Sequence, residues 1–176
     1  MKHSIFLSYP KPFTIEQSQF INDLVVDLSE RGFEPRTLGV SDYDMDEPLV
    51  AIRRLMLESY GIITIAFRRT YINEGCSKPN SDNARNLSNV WFSSAYCQIE
   101  PAMAFQIGLP IMVLRESGVV ADGILEKGVA GLYLPEFDLY SNQDYLKSHE
   151  WKQLFNQWSS NVLQIVKSRG YPKYIY

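Results

Sequence analysis

The residues whose types and spacing could do chemistry lie between Ser93 and Arg115, in SSAYCQIEPAMAFQIGLPIMVLR. This stretch holds one carboxylate, Glu100, among small, aromatic and apolar side chains, and a Gly-Leu-Pro turn then leads into the apolar run Ile111 to Leu114. The pattern reads as a helix that carries an acid and feeds a buried strand. Tyr96 stands four residues before Glu100 and Ala104 four after, so a helix puts a ring, an acid and a small residue on one face. Such a face can hold a flat ligand over a carboxylate. The plainer reading of a lone helical Glu is a solvated or ion-paired side chain, and the surrounding elements have to decide between the two.

Those elements alternate. Ser4 to Tyr9 is a short apolar run closed by Pro10 and Pro12, the pattern of a buried first strand that ends in a loop. Thr14 with Gln17 makes a capping-box signal for a helix over about 15–31, in which Phe20, Ile21, Leu24, Val25 and Leu28 share a face and Gly32 supplies the stop. Phe33 to Leu38 reads as a second strand, and Pro35 inside it points to a sheet edge. Pro48 suits the first turn of a helix whose stripe is Leu49, Ile52, Leu55 and Met56. Ile62 to Phe67, β-branched and almost wholly apolar, is a central parallel strand.

Arg68 to Asn89 is polar, without periodicity, and reads as a long loop insertion at about 68–90. Lying after the central strand, it is either a lid or a passive insertion. Beyond the Glu100 helix and the fourth strand, Ala121 to Lys127 reads as a short helix and Gly131 to Leu134 as a fifth strand ending at Pro135. A C-terminal helix at about 143–167 carries the stripe Leu146, Trp151, Leu154, Phe155, Trp158, Val162 and Ile165, which is core packing. The aromatic tail from Tyr171 takes no assignment. The expectation is a single domain over residues 1–176: an α/β, flavodoxin-like three-layer sandwich, its five-stranded parallel sheet in the order 2-1-3-4-5 with helices on both faces. Ligands in such folds gather beyond the carboxyl ends of the strands, where the Glu100 helix starts.

Composition narrows the function classes. The chain has 176 residues, 45% hydrophobic and 21% charged, with a formal net charge of -3. Its Lys and Arg residues are scattered, so no nucleic-acid partner is expected. No apolar run approaches the roughly 20 residues that span a bilayer, and Met1 to Ser4 leads straight into a strand, so a cytoplasmic protein without a membrane partner is expected. Cys76 and Cys97 are the only cysteines, form no CxxC pair and should remain thiols. Asp42, Asp44 and Asp46 alternate like a calcium loop, but the sixth and twelfth positions hold Glu47 and Arg53 in place of the required Gly and acid; no metal site is expected. There is no GxGxxG, P-loop, HExxH or GxSxG, and His3 and His149 are the only histidines available to a triad.

Two segments together carry a family resemblance. Phe6-Leu7-Ser8-Tyr9 resembles the first-strand box of Toll/interleukin-1 receptor (TIR) domains. Ser94-Ala95-Tyr96-Cys97-Gln98-Ile99-Glu100 resembles the Ser-x-Trp-Cys-x-x-Glu box of the same family, and the resemblance spans about Lys2 to Pro135. It implies the bacterial stand-alone type of TIR enzyme, which cleaves NAD+ at the nicotinamide ribosyl bond with NAD+ as substrate and no cofactor. Carried over, Glu100 becomes the catalytic residue, Tyr96 takes the place of the family's stacking Trp, and Ser8, Tyr9 and Ser94 line the substrate cleft. The resemblance further implies a homo-oligomer and a Thoeris-like role in anti-phage defence, with a separate effector protein sensing an ADP-ribose-derived signalling nucleotide. The chain departs from the pattern at Tyr96, at Pro10-Lys11-Pro12 and at Pro101. A proline directly after the glutamate implies that the helix kinks there or that a new helix starts at Pro101 with Glu100 near its cap.

The chemistry agrees with one acid. O-glycosidases use two carboxylates because their leaving oxygen must be protonated, whereas nicotinamide in NAD+ is already cationic and departs neutral. A single carboxylate stabilising an oxocarbenium-like transition state then suffices. The alternative enzyme is a nucleoside 2-deoxyribosyltransferase or nucleotide N-ribohydrolase, which expels a neutral base and needs a proton donor; no Asp lies between Asp82 and Asp122. A second alternative is a non-catalytic TIR adaptor acting by self-assembly. Finally, the acidic loop Gly39 to Glu47 calls for cationic partners, for which Arg53, Arg54, Arg68 and Arg69 are nearest in sequence.

Overall fold

Strand alternation sorts the side chains of β1 (His3–Ser8) between two layers: Ile5 and Leu7 enter one core, Phe6 the other. The computed structural model describes residues 2–131 and 133–169, the side chain of residue 169 excepted. In chain order the elements are β1, α1 (Ile15–Glu30), β2 (Phe33–Arg36), α2 (Pro48–Leu57), β3 (Ile62–Ala66), β4 (Thr70–Ser77), β5 (Arg85–Phe92), α3 (Tyr96–Gln106), β6 (Ile111–Glu116), β7 (Glu136–Phe137) and α4 (His149–Arg169). The main sheet has five strands in the order β2-β1-β3-β6-β7, and every pairing in it is parallel. Leaving β4 and β5 aside, this is the expected 2-1-3-4-5 order of an α/β three-layer fold.

Two apolar layers hold the sheet. On one face Phe20, Leu24 and Leu28 of α1 and Trp151, Phe155, Trp158 and Val162 of α4 pack over Ile5, Leu7, Ile63, Ile65 and Leu114. On the other, Ile52, Leu55 and Met56 of α2 and Ala104 of α3 pack over Phe6 and Ile62. Leu49, counted in the α2 stripe from sequence, is exposed, and Ala51 takes its place in the core. The small-residue helix α3 ends at Gln106, and Gly108 just beyond its cap has a φ of 72°, the left-handed conformation that stops a helix and turns the chain into β6.

Four readings of the sequence need correction. The polar stretch 68–90 is not a loop: β4 and β5 form an antiparallel hairpin. The expected helix over Ala121 to Lys127 is only a 3-10 turn at Gly123–Leu125: Asp122 and Glu126 on either side are extended, and Gly123 opens the turn at a φ of 57°. The fifth strand is β7, just beyond Pro135; Gly131, Tyr133 and Leu134 are not in a strand, and Leu132 lies outside the described residues. What fixes β7 is Phe137, fully buried and stacked on Phe20 at 4.5 Å, whereas Tyr133 is exposed. The C-terminal helix starts later than expected, at His149, because Ser148 Oγ accepts from Trp151 N (3.0 Å) and ends the 3-10 turn Tyr145–Lys147. The aromatic tail lies outside the described residues.

Candidate active site

Ser8 closes β1 on the same face as Phe6, the face that α2 and α3 cover. Glu100 stands on α3 with Cys97, Pro101 and Ala104 as the helix's buried residues, and its carboxylate Oε2 accepts a hydrogen bond from Ser8 Oγ. Pro101 neither breaks α3 nor starts a new helix. The helix runs from Tyr96 to Gln106 with the proline inside, and Glu100 keeps helical geometry. The preference of a pre-proline residue for extended backbone is a bias, and here the packing of α3 against β3 overrides it. Both partners of the hydrogen bond are buried, Ser8 at 3% and Glu100 at 8% exposure. Burial lifts the Glu100 carboxyl from 4.5 to about 7, and the Ser8 hydroxyl pulls the other way. At neutral pH the group is therefore poised between its two forms.

Glu100 forms part of the wall of a cleft of about 600 Å³ at the carboxyl end of the sheet, lined also by Tyr9, Lys11, Phe13, Arg69, Ser94 and Tyr96. That volume lies in the range of small-molecule sites. Glu100 is the one carboxylate among the described lining residues. Tyr96 is 42% exposed, so a ring face is available to a ligand one helical turn from the acid. Tyr9 is half-buried beside Thr37, and burial raises its phenol above the usual value, so it enters the cleft as a neutral donor. Of the five residues named from sequence, Tyr9, Ser94, Tyr96 and Glu100 line the cleft, whereas Ser8, expected in the lining, is buried behind Glu100 and reaches the site only through its hydrogen bond to that carboxylate. Cys97, three residues before Glu100, is a different matter: burial pushes its thiol up to about 11, and its Sγ lies 3.7 Å from Ile65 O in the core. It is an inert packing thiol.

Arg69, one of the candidates for answering the acidic loop, turns to the cleft instead. Its Nη1 donates to Ser94 Oγ at 3.0 Å, and that hydroxyl also accepts from Tyr96 N at 3.3 Å. Arg68, the next residue back, is clamped the opposite way. Buried Glu116 accepts from Arg68 N (2.8 Å) and from Gln17 Nε2 (3.1 Å), while Arg68 Nε donates to Ser117 O (2.6 Å). This network ties the root of the hairpin to α1 and β6. The hairpin is also secured at its other root, where Val120 N donates to Trp91 O (2.8 Å) and the Trp91 ring stacks on Phe13 of the cleft wall. Of the segment 68–90, Arg69 alone lines the cleft. The sequence signal that could have found it is its position immediately after the central strand, at the ligand edge.

Two acids of the loop, Asp42 and Asp44, find cations within the chain. Arg36 Nε donates to Asp42 Oδ1 at 3.0 Å and its Nη1 reaches Glu58 at 2.9 Å, while Arg54 Nη2 lies 2.6 Å from Asp44, a charge contact not aligned as a hydrogen bond. Arg54, one of the arginines expected to answer the loop, pairs with Asp44, and Arg36, six residues before Asp42, is a partner that the sequence reading missed. Among the described residues no group of three or more His, Cys, Asp or Glu could hold a metal ion, and no helix is long and apolar enough to cross a membrane.

No family model matches the sequence, and no curated protein matches it. Among solved structures the chain is similar to a Clostridium botulinum CMP N-glycosidase, BcmB, at 16% identity over 88% of this chain and 98% of that one, with a TM-score of 0.49. It is also similar to the TIR domains of the activated Roq1 resistosome, which directly recognises the pathogen effector XopQ, at 14% identity over 95% of this chain and 85% of that one, with a TM-score of 0.43. Neither likeness is close enough to carry a functional inference.

Proposed function

We propose that this protein is an N-glycosidase that cleaves the nicotinamide–ribosyl bond of NAD+, with Glu100 as its catalytic residue. The observation that carries the reading is that Glu100 is the one carboxylate among the described residues lining its cleft, buried and held by Ser8. A leaving group that needs a proton calls for a second acid, and a pyridinium does not. In the reaction the C1′–N bond breaks, its electron pair neutralises the pyridinium nitrogen, and nicotinamide leaves uncharged. Positive charge develops at the ribose carbon, where ionised Glu100 stabilises it. Water adding to C1′ gives ADP-ribose and releases a proton; capture by a group of the same nucleotide gives a cyclic isomer. Tyr96 supplies a face for the departing ring, and the Ser8 hydroxyl orients the carboxylate.

A second reading has its own support. With its carboxyl lifted by burial to about 7, Glu100 keeps a protonated form within reach at neutral pH and has a proton to give to a neutral base. In that case the substrate is an ordinary nucleotide and the protein a nucleotide N-ribohydrolase. The two readings differ in the sign of their pH dependence. The test is a kcat/KM profile across pH 5.5 to 8.5 with NAD+ and with CMP: activity that climbs through about 7 belongs to a carboxylate, and activity that falls belongs to an acid. The wider role, production of a signalling nucleotide for a separate effector in anti-phage defence, rests on the resemblance of the two boxes. It would be tested by infecting cells that carry the chain and its Glu100→Gln variant.

A further inference from the structure

Arg69 differs from the other arginines whose partners are known in this fold. Arg31, Arg36, Arg54, Arg68 and Arg115 each face a carboxylate. Arg69 faces none among the described residues, although it lines the same cleft as Glu100. Its one side-chain hydrogen bond, Nη1 to Ser94 Oγ at 3.0 Å, fixes the direction of the guanidinium. Its remaining donors make no hydrogen bond with the described protein atoms and are free to meet a ligand. The backbone beneath it is held as well, because Arg69 N donates to Phe92 O (3.0 Å) across the hairpin and the adjacent Arg68 is locked by Glu116 and Ser117. A guanidinium that is anchored through one nitrogen and open on the others suits the oxygens of a phosphate.

Lys11 adds a second cation to the lining. Both cations belong to a chain whose net charge is -3. We propose that Arg69, assisted by Lys11, binds a phosphate of the substrate, so that the site selects phosphorylated nucleotides over free nucleosides. The inference rests on the N-glycosidase reading of the same cleft, yet phosphate binding can be measured without turnover.

The experiment has two arms. In the first, kcat/KM is measured for NAD+ and for nicotinamide riboside, which has the same scissile bond and leaving group but no phosphate. Wild type should prefer NAD+ by at least about tenfold, and Arg69→Gln should lose most of that preference through a higher KM for NAD+, with Arg69→Lys in between. Arg85→Gln, which removes an exposed hairpin arginine outside the cleft lining, controls for net charge and should keep the wild-type ratio. In the second arm, calorimetry follows ADP binding to wild type and Arg69→Gln, with a loss of at least about tenfold expected. An Arg69→Gln variant that cleaves both substrates with the wild-type ratio, or binds ADP as wild type does, overturns the proposal. If neither NAD+ nor nicotinamide riboside is cleaved by wild type, the NAD+ reading fails, and the ADP arm alone decides whether Arg69 binds phosphate.

Discussion

Ser8, the last residue of β1, and Glu100, in the second turn of α3, are 92 positions apart in the chain and joined by a hydrogen bond in which the hydroxyl donates to the carboxylate. The bond is buried, and it joins the strand end at which ligands collect in such sheets to the helix that carries the acid. It favours the charged form of a group that burial would rather keep neutral.

Removing that donor should therefore move the titration. With Ser8→Ala the carboxyl loses the one interaction that lowers its pKa, so the rising limb of the kcat/KM profile for NAD+, expected near 7 in wild type, should shift to higher pH. A profile unchanged in position would mean that the hydroxyl does not govern the ionisation of Glu100.

Stability should show the same group from the other side. The folded carboxyl titrates near 7 against 4.5 for the free group, so its contribution is fully present below pH 4.5 and is lost as pH rises through about 7. At 1.36 kcal/mol per pH unit, ionising Glu100 costs on the order of 3 kcal/mol at pH 8. Glu100→Gln cannot ionise, so its melting temperature should exceed that of wild type at pH 8 and the difference should shrink toward pH 5. Thermal melts at the two pH values check this, and a variant that is less stable at both would make the Ser8–Glu100 hydrogen bond a structural one.

Tyr96 is proposed as a stacking face, and its 42% exposure leaves that face accessible. Tyr96→Ala should raise the KM for NAD+ by about fivefold to tenfold, the worth of one aromatic contact, while Tyr96→Trp should match or better the parent. Equal kinetics in the two variants would remove Tyr96 from the site.

Two acids of the loop, Asp42 and Asp44, are paired inside the chain. Arg36 bridges Asp42 and Glu58 in a half-buried setting, so Arg36→Gln should cost about 1 kcal/mol and speed proteolysis between Thr37 and Glu47. Unchanged melting and cleavage would show that the pairs carry no stability. Assembly is a separate question: turnover per mole of enzyme across a dilution series, with light scattering alongside, should rise with concentration if a second copy is required. A flat response from a constant monomer would remove that requirement.

The sheet and its site could be read from the sequence because both rest on strong local patterns. Ile62 to Phe67 could hardly be anything except a buried strand, and the alternation in Ser4 to Tyr9 delivers Ser8 to the α3 face once its partner layers are known. The hairpin could not be read in this way. Most residues of β4 and β5 are exposed on both faces, so Thr70 to Ser77 shows no alternation of apolar and polar residues. β7 is two residues long, and only Phe137 marks it. The course of α3 through Pro101 was open because local preference and tertiary packing oppose each other there, and packing won. Arg69 escaped because its role depends on where the unread hairpin begins.

The most direct test is to incubate the purified protein and its Glu100→Gln variant with NAD+ and with CMP and to resolve the products by mass. The wild-type protein is expected to release nicotinamide and an ADP-ribose-derived nucleotide from NAD+, with the variant slower by about two to three orders of magnitude and CMP left intact. Release of cytosine without release of nicotinamide, or NAD+ turnover that survives Glu100→Gln, would contradict it.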